Sequence, residues 1–108
     1  MNRIPLYQDT IIKEFLQRLR QHLGDRLKEV ILFGSRARDD WEEGSDYDFL
    51  IIVDKKTKEV RNIVLDIESE LLHKTNKLLS SLIYSEEDWE RSKNFPLGRN
   101  ISKEGIRL

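Results

Sequence analysis

Hydrophobic residues recur at helical spacing in two stretches of the chain and cluster into short runs in three others. Apolar positions three or four residues apart over 11–23 and 60–71 predict two amphipathic helices. The runs VILF (30–33), FLIIV (49–53) and KLLSSLIY (77–84) predict strands. The second run is apolar on both faces, which is typical of a central strand covered on both sides.

Residues with strong positional preferences mark the ends of these elements. Asp9 or Thr10 can cap the first helix at its start, and Gly24 suits its end. Ser85 predicts the N-cap of a short helix after the third strand, and Pro96 requires that helix to end nearby. The caps therefore support the element order that the periodicity predicts.

The order helix, strand, strand, helix, strand, helix predicts an α/β or α+β fold with a small mixed sheet flanked by helices. The tail over 97–108 can add another short helix that ends at Gly105. No linker or internal repeat divides the chain, so we expect a single domain over 1–108.

Composition narrows the possible functions. The 108 residues include 19 basic and 20 acidic side chains, for a net charge of −1, which argues against duplex nucleic acid as a ligand. The absence of cysteine excludes disulfides and thiolate metal sites. No apolar run approaches the roughly 18 residues that cross a bilayer, and the start MNRIPLYQDT lacks the apolar segment of a secretory signal. We therefore expect no membrane association and a cytoplasmic protein.

The stretch GSRARDDWEEGSDYDFLIIVD (34–54) places two acids at the entrance to the predicted central strand. Asp46 and Asp48 are separated by one residue, so a strand projects both carboxylates from the same face. Such a pair repels, and one member tends to take up a proton. Mg²⁺ removes this repulsion, because it is commonly held by one or two carboxylates together with substrate phosphates. The alternative is that both acids point into solvent.

The first part of the same stretch can bind phosphate. Gly34 and Ser35 stand where the first strand ends, and RARDDW can begin a short helix whose N-terminal N–H groups attract anions. Ser35 can donate its hydroxyl, Gly34 lets the backbone approach a ligand closely, and Arg36 or Arg38 can contact phosphate charge. By itself G-S-R is a turn with solvated arginines; next to the two aspartates it predicts a site for a metal–nucleotide complex.

These residues carry a resemblance to a known family. Gly34-Ser35, ten intervening residues and then Asp46-Tyr47-Asp48 resemble the GSx10DxD motif of minimal nucleotidyltransferases of the DNA polymerase β superfamily. The resemblance implies the polymerase β-like fold, one or two Mg²⁺ ions on Asp46 and Asp48, and nucleotide phosphates on Gly34 and Ser35. It also implies metal-dependent transfer of a nucleoside monophosphate, AMP from ATP, to a hydroxyl acceptor.

The chain departs from the family pattern at the third strand. The family commonly carries a third acid there, whereas KLLSSLIYS has none, and Ser80 or Ser81 takes its place. This residue often helps to hold metal or to deprotonate the attacking hydroxyl. Turnover with a slower or substrate-supplied base is one outcome. The alternative is a non-catalytic nucleotide-binding module that neutralises a partner protein by contact.

The resemblance also implies a partner. Small proteins of this family often accompany a HEPN-domain ribonuclease toxin, for which they serve as the antitoxin by transferring AMP to a toxin tyrosine. The chain shows no second region for an acceptor, so we expect a partner chain or a second copy to complete the site.

Overall fold

The computed structural model describes residues 6–38, 42 and 45–108, without the side chain of Tyr7. Short 3₁₀ turns occupy Leu6–Gln8 and Gly24–Arg26. The helices and strands, in chain order, are α1 (Thr10–Leu23), β1 (Leu27–Phe33), α2 (Ser35–Arg38), β2 (Tyr47–Val53), α3 (Lys58–Thr75), β3 (Leu79–Ser85), α4 (Glu86–Ser92), α5 (Pro96–Glu104) and β4 (Ile106–Arg107).

The sheet is mixed and has the strand order β3-β2-β1-β4. Strand β1 runs antiparallel to both β2 and β4, whereas β2 and β3 run parallel. Parallel neighbours need a crossover connection, which α3 supplies. The predicted small mixed sheet flanked by helices is therefore confirmed, with β2 in an interior position as its apolar run predicted.

Helices α1 and α3 cover one face of the sheet, called here the α1/α3 face. Side chains of β1 and β2 that alternate toward this face pack against the apolar stripes of both helices. Phe15 of α1 and Phe49 of β2 are fully buried and hold their ring centroids 4.6 Å apart. The largest core of the described residues lies here, and it fixes β2, the strand that carries Asp48.

Helices α4 and α5 lie on the opposite face, the α4/α5 face, over a smaller apolar cluster. Its buried members are Ile31, Leu50, Ile52 and Ile101. Because Asp48 alternates with Leu50 and Ile52 along β2, its side chain belongs to this face. No described helix combines the length and apolar character needed to cross a membrane.

Capping residues act largely as predicted. The Asp9 side chain accepts the N–H groups of Ile11 and Ile12, and α1 ends at Gly24 in a positive-φ conformation. The Ser85 hydroxyl accepts the Asp88 N–H at 3.1 Å and starts α4.

Several features differ from the sequence prediction. Strand β1 begins at Leu27 instead of residue 30 and β2 at Tyr47 instead of residue 49, because strand pairing extends beyond the apolar runs. The third strand begins at Leu79 instead of residue 77, because residues 76–78 lie in the connection that follows α3. Pro96 begins α5 as well as following the end of α4, since proline is well tolerated in a first helical turn. The two-residue strand β4 was not predicted, because so short an edge strand carries no recognisable periodicity. Residues 39–41, the end of the predicted helix RARDDW, lie outside the described residues.

Candidate active site

A sharp corner between β1 and α2 forms one wall of the site. Gly34 has φ +75°, a conformation that disfavours other residues, and its carbonyl accepts the N–H groups of Ala37 and Arg38. A Cβ added at Gly34 would lie 2.5 Å from Oδ2 of Asp48. The glycine is therefore required both by its backbone conformation and by the space that the Asp48 carboxylate occupies. This contact brings the Gly34-Ser35 corner and Asp48 together.

The two aspartates interact electrostatically across the entrance to β2. Asp46 is exposed just before the strand, and Asp48 is half-buried within it. Burial raises the pKa of the Asp48 carboxyl, the charge of Asp46 raises this pKa further, and the charge of Arg38 lowers it. The fold thus holds a partly desolvated carboxylate beside a second one, an arrangement that a bound cation would stabilise.

Arg36 and Tyr47 brace the turn behind the site. Arg36 is 6 % exposed, its guanidinium carbon lies 4.2 Å from the centroid of the Tyr47 ring, and its Nη2 donates to the Ser45 carbonyl at 3.0 Å. The Tyr47 hydroxyl donates to Oδ2 of Asp9 at 2.7 Å. Burial and this hydrogen bond raise the pKa of Tyr47. These contacts tie the α2 turn, the start of β2 and the start of α1 together.

Arg38 lies closer to the predicted chemistry than Arg36. Its charge acts on the Asp48 carboxyl, and its Nη1 donates to Oε2 of Glu104 on α5 at 3.1 Å. The side chain is partly exposed, which leaves it accessible to an anion. Of the two arginines predicted to contact phosphate, Arg38 therefore stands beside Asp48, and Arg36 is engaged with Tyr47 and Ser45.

The sheet register identifies which serine stands beside the aspartates. Ser80 of β3 pairs with Asp48 of β2, so the two side chains leave the same face about 4.8 Å apart. Ser81 points to the opposite face, where its hydroxyl donates to Glu68 at 2.7 Å. The acids at the start of α4 follow Ser85, which stands about 16 Å along the strand from Ser80. Among the described residues, no three His, Cys, Asp or Glu side chains form a cluster that could hold a metal.

The described donors nevertheless fit Mg²⁺ bound together with a nucleotide. This ion commonly takes only one or two carboxylates from the protein and fills its remaining positions with phosphate oxygens and water. Asp46 and Asp48 supply two carboxylates, and the Gly34 backbone leaves open the space that Oδ2 of Asp48 needs. Ser35 and Arg38 are the first and last residues of α2, the turn that follows Gly34.

Comparison with known proteins shows the family to which the chain belongs. The model of the nucleotidyltransferase domain matches residues 12–103, which include β1, α2, β2 and β3. The chain belongs to the nucleotidyltransferase domain family. The resemblance to minimal nucleotidyltransferases that the GSx10DxD spacing indicated is thereby confirmed.

Relatives of known name extend this finding. The nucleotidyltransferase is 36 % identical over 98 residues to "Putative protein adenylyltransferase MJ0604" of Methanocaldococcus jannaschii, covering 91 % of this chain and 94 % of that protein. A second protein of the same organism, "Putative protein adenylyltransferase MJ0141", is 43 % identical over 75 residues, covering 68 % of this chain and 76 % of that protein. Similarity over nearly the full length of the first relative shows that the match is not restricted to the GSx10DxD motif.

Solved structures agree on the fold of this nucleotidyltransferase. A toxin–antitoxin complex crystallised with AMP-PNP matches with a TM-score of 0.60 at 17 % identity, covering 86 % of this chain and 68 % of that chain. A nucleotidyltransferase-like protein from Sulfolobus solfataricus matches with a TM-score of 0.57 at 21 % identity, covering 90 % and 75 %. At these identities the likeness establishes the fold alone.

Two contacts that support the site of the nucleotidyltransferase were not predicted from the sequence. Glu104 reaches Arg38 from 66 residues away, and no local pattern signals that pairing. Asp9 both caps α1 and accepts the Tyr47 hydroxyl, although the sequence indicates only the cap. Glu68 did leave a signal, because it interrupts the apolar face of α3 opposite a serine in β3.

Proposed function

We propose that this nucleotidyltransferase transfers AMP from ATP to a hydroxyl group of a partner protein. The observation that carries the proposal is the contact between Gly34 and the Asp48 carboxylate, because it joins the phosphate-binding half of the motif to its acidic half. Membership in the nucleotidyltransferase family supports the reaction class. The names of the two Methanocaldococcus relatives support adenylyl transfer to protein.

The residues of the site have separate roles in this proposal. Asp46 and Asp48 hold Mg²⁺, the Gly34 backbone and the Ser35 hydroxyl contact the nucleotide phosphates, and Arg38 offsets phosphate charge. Arg36 acts as a positioning residue by bracing the turn against Tyr47. Bound Mg²⁺ would supply charge neutralisation and stabilise the charge that develops on the phosphates.

The reaction is an in-line displacement at the α-phosphorus of ATP. The acceptor oxygen forms a bond to this phosphorus, the α–β phosphoanhydride bond breaks, and pyrophosphate leaves with the electron pair. The acceptor proton passes to a substrate group or to solvent, because Ser80 stands where a third carboxylate would serve as the base. We therefore expect slow turnover whose rate rises with pH as the acceptor hydroxyl ionises.

The partner we propose is a HEPN-type toxin, with a tyrosine as acceptor and the present chain as its cytoplasmic antitoxin. Support comes from neighbours of the same fold. One is part of a toxin–antitoxin complex with AMP-PNP, and another, with a TM-score of 0.52, belongs to a complex of a tri-AMPylated HEPN toxin with an MNT antitoxin.

Transfer of label tests the proposal. The chain is incubated with Mg²⁺, ATP labelled on the α-phosphate and the protein encoded beside it, and the partner is expected to become labelled. Replacing both acids, Asp46→Asn with Asp48→Asn, should abolish labelling, whereas Asp66→Asn on the exposed surface of α3 should not. Absence of label from the wild-type reaction, or equal labelling by the double variant, would contradict the enzymatic role.

A second function, neutralisation of a partner by contact alone, is favoured by one observation: Ser80 beside Asp48 leaves the described site without a third acid. The same variants separate the two functions. Neutralisation of the toxin that survives the double substitution would identify a contact inhibitor, and neutralisation that disappears with the label would identify the enzyme.

A further inference from the structure

Strand β3 forms an unprotected edge of the sheet. Within the described residues it pairs with β2 on one side and with no strand on the other. Proteins usually protect such edges with charged residues, prolines or bulges, because unpaired N–H and C=O groups invite another strand. The sequence of β3, LSSLIYS, contains neither a charge nor a proline over seven residues. This edge is therefore available for pairing.

A groove of about 420 Å³ runs along this edge between β3 and α3. Leu65 of α3 lines it and is 46 % exposed, more than is usual for a leucine side chain beside a core. Leu82 borders the groove from β3, but its side chain shares the face of Ser80 and is 37 % exposed there. Arg61 lines one part of the groove, and Glu68 lies beside Ser81 in another. The groove thus combines apolar surface with charges of both signs.

The charges in the groove lack partners of opposite sign among the described residues. Glu68 is 8 % exposed, its only hydrogen bond in the described part of the chain comes from Ser81, and burial raises its pKa. Neither Arg61 nor Lys56 takes part in a described ion pair. A buried carboxylate without a cation is costly, so a partner that brings a positive charge to Glu68 would be favoured.

We propose that a second copy of this chain docks along the groove, with β3 of each copy paired antiparallel about a two-fold axis near Leu82. Arg61 and Glu68 are seven residues apart on α3, about 10 Å along its axis. A two-fold axis that passes between them places Arg61 of each copy opposite Glu68 of the other. The surface is self-complementary in charge, which favours a second copy over an unrelated strand.

The same two-fold axis would also bring the exposed stripe of α3 in one copy next to that of the other copy. The stripe Arg61, Leu65, Glu68, Leu72 recurs at steps of four, three and four residues, the spacing with which helices pack side by side. Pairing would bring the exposed leucines of both α3 helices together and merge the two sheets into one of eight strands. Although β3 carries Ser80, the groove is lined by none of the residues proposed to bind metal or nucleotide, so the proposal can be tested separately from the proposed function.

Disulfide trapping of the full chain tests the pairing. The chain has no cysteine, so Leu82→Cys introduces a single thiol at the proposed axis. Opposed residues of antiparallel strands have Cα atoms about 4.5–5.5 Å apart, within the range that a disulfide bridges. Leu82→Cys is expected to form a covalent dimer under mild oxidation, whereas Leu97→Cys, at a leucine 50 % exposed on α5, is not.

Sedimentation of the uncrosslinked protein provides a second measurement. Arg61→Glu should raise the dimer dissociation constant at least about tenfold, because it sets two acids against each other across the axis. Arg99→Glu, an equal charge reversal on α5, should leave it unchanged. A chain that stays monomeric at every concentration overturns the proposal. So does trapping of Leu97→Cys as efficient as that of Leu82→Cys, or a dimer that Arg61→Glu does not weaken.

Discussion

Among the described residues, the α1/α3 face of the sheet buries a cluster of fifteen side chains, whereas the α4/α5 face buries a cluster of four. Apart from the Tyr47 hydroxyl, the larger cluster is apolar, and its burial stabilises the fold. On the face of β2 that carries the smaller cluster, the next residue toward the start of the strand is Asp48. Burial raises the pKa of the Asp48 carboxyl. One strand therefore joins a region built for stability to a region that sacrifices some stability for a charged site.

Removing a large side chain from each face gives the largest expected effects. Phe49→Ala should lower the free energy of unfolding by about 3–5 kcal/mol, because Phe49 is fully buried against Phe15. Ile101→Ala should cost about 2 kcal/mol, since the smaller cluster can relax around the cavity. Urea unfolding measures both values, and an equal or larger loss for Ile101→Ala would show that the faces do not differ in this way.

Adding an acid to the α4/α5 face should increase the rate of AMP transfer. Ser80→Asp places a third carboxylate next to Asp48 in the register of the sheet. The transfer rate with Mg²⁺ should rise by about 100-fold, at the lower end of what a positioned base contributes. Initial rates of AMP transfer measure this change, with Ser102→Asp on exposed α5 as a matched control. An unchanged rate would mean that position 80 does not complete the site.

A hydrogen bond at the edge of the α1/α3 face, behind the site, can be removed with a single atom. Tyr47→Phe removes the hydroxyl that donates to Asp9, and hydrogen bonds to charged groups contribute about 1.5–3 kcal/mol when buried. Because Asp9 is partly exposed, we expect a loss of about 1–2 kcal/mol in unfolding free energy. Tyr84→Phe serves as the control. Equal losses of unfolding free energy in the two variants would show that the hydrogen bond between Tyr47 and Asp9 does not stabilise the fold.

The smallest effect is a gain in stability. The folded state raises the pKa of Asp48 above its unfolded value of about 3.8, so it binds more protons than the unfolded state between the two values. Stability is consequently lost as the pH rises through this window. Asp48→Asn should be as stable as the wild type below the window and more stable above it, by less than about 1 kcal/mol because the group is partly exposed.

Thermal unfolding across this pH range measures the difference for Asp48→Asn. Asp66→Asn, the same substitution on the exposed surface of α3, serves as the matched control. A variant at position 48 that is less stable than the wild type at neutral pH would contradict the view that this carboxylate is held at a cost.

Sequence alone predicted the helices and strands that show hydrophobic periodicity or carry capping residues at their ends. The two long helices, the three main strands and the corner at Gly34 followed from periodicity, from residue preferences and from the spacing of the motif. Asp46 and Asp48 were predicted as metal ligands because two acids one residue apart form a local pattern. Asp46 precedes β2 instead of lying on it, and the metal-binding role stays a prediction. The motif also indicated the family that residues 12–103 match.

Other features depend on pairing between distant segments and left no local signal. The choice between Ser80 and Ser81 required the register of β3 against β2. The different positions of Arg36 and Arg38 depend on Tyr47 and on Glu104, which only the folded chain brings near. The edge position of β3 likewise follows from strand order, which periodicity does not reveal.

Calorimetric titration with ATP in the presence and absence of Mg²⁺ tests the central claim most directly, because it needs no partner protein. We predict Mg²⁺-dependent binding of ATP that weakens at least about 100-fold in Asp46→Asn with Asp48→Asn, since a metal ion contributes several kcal/mol and each 1.4 kcal/mol is tenfold. Asp66→Asn should bind as the wild type does. ATP binding that is unaffected by Mg²⁺ and by loss of both carboxylates would contradict the account.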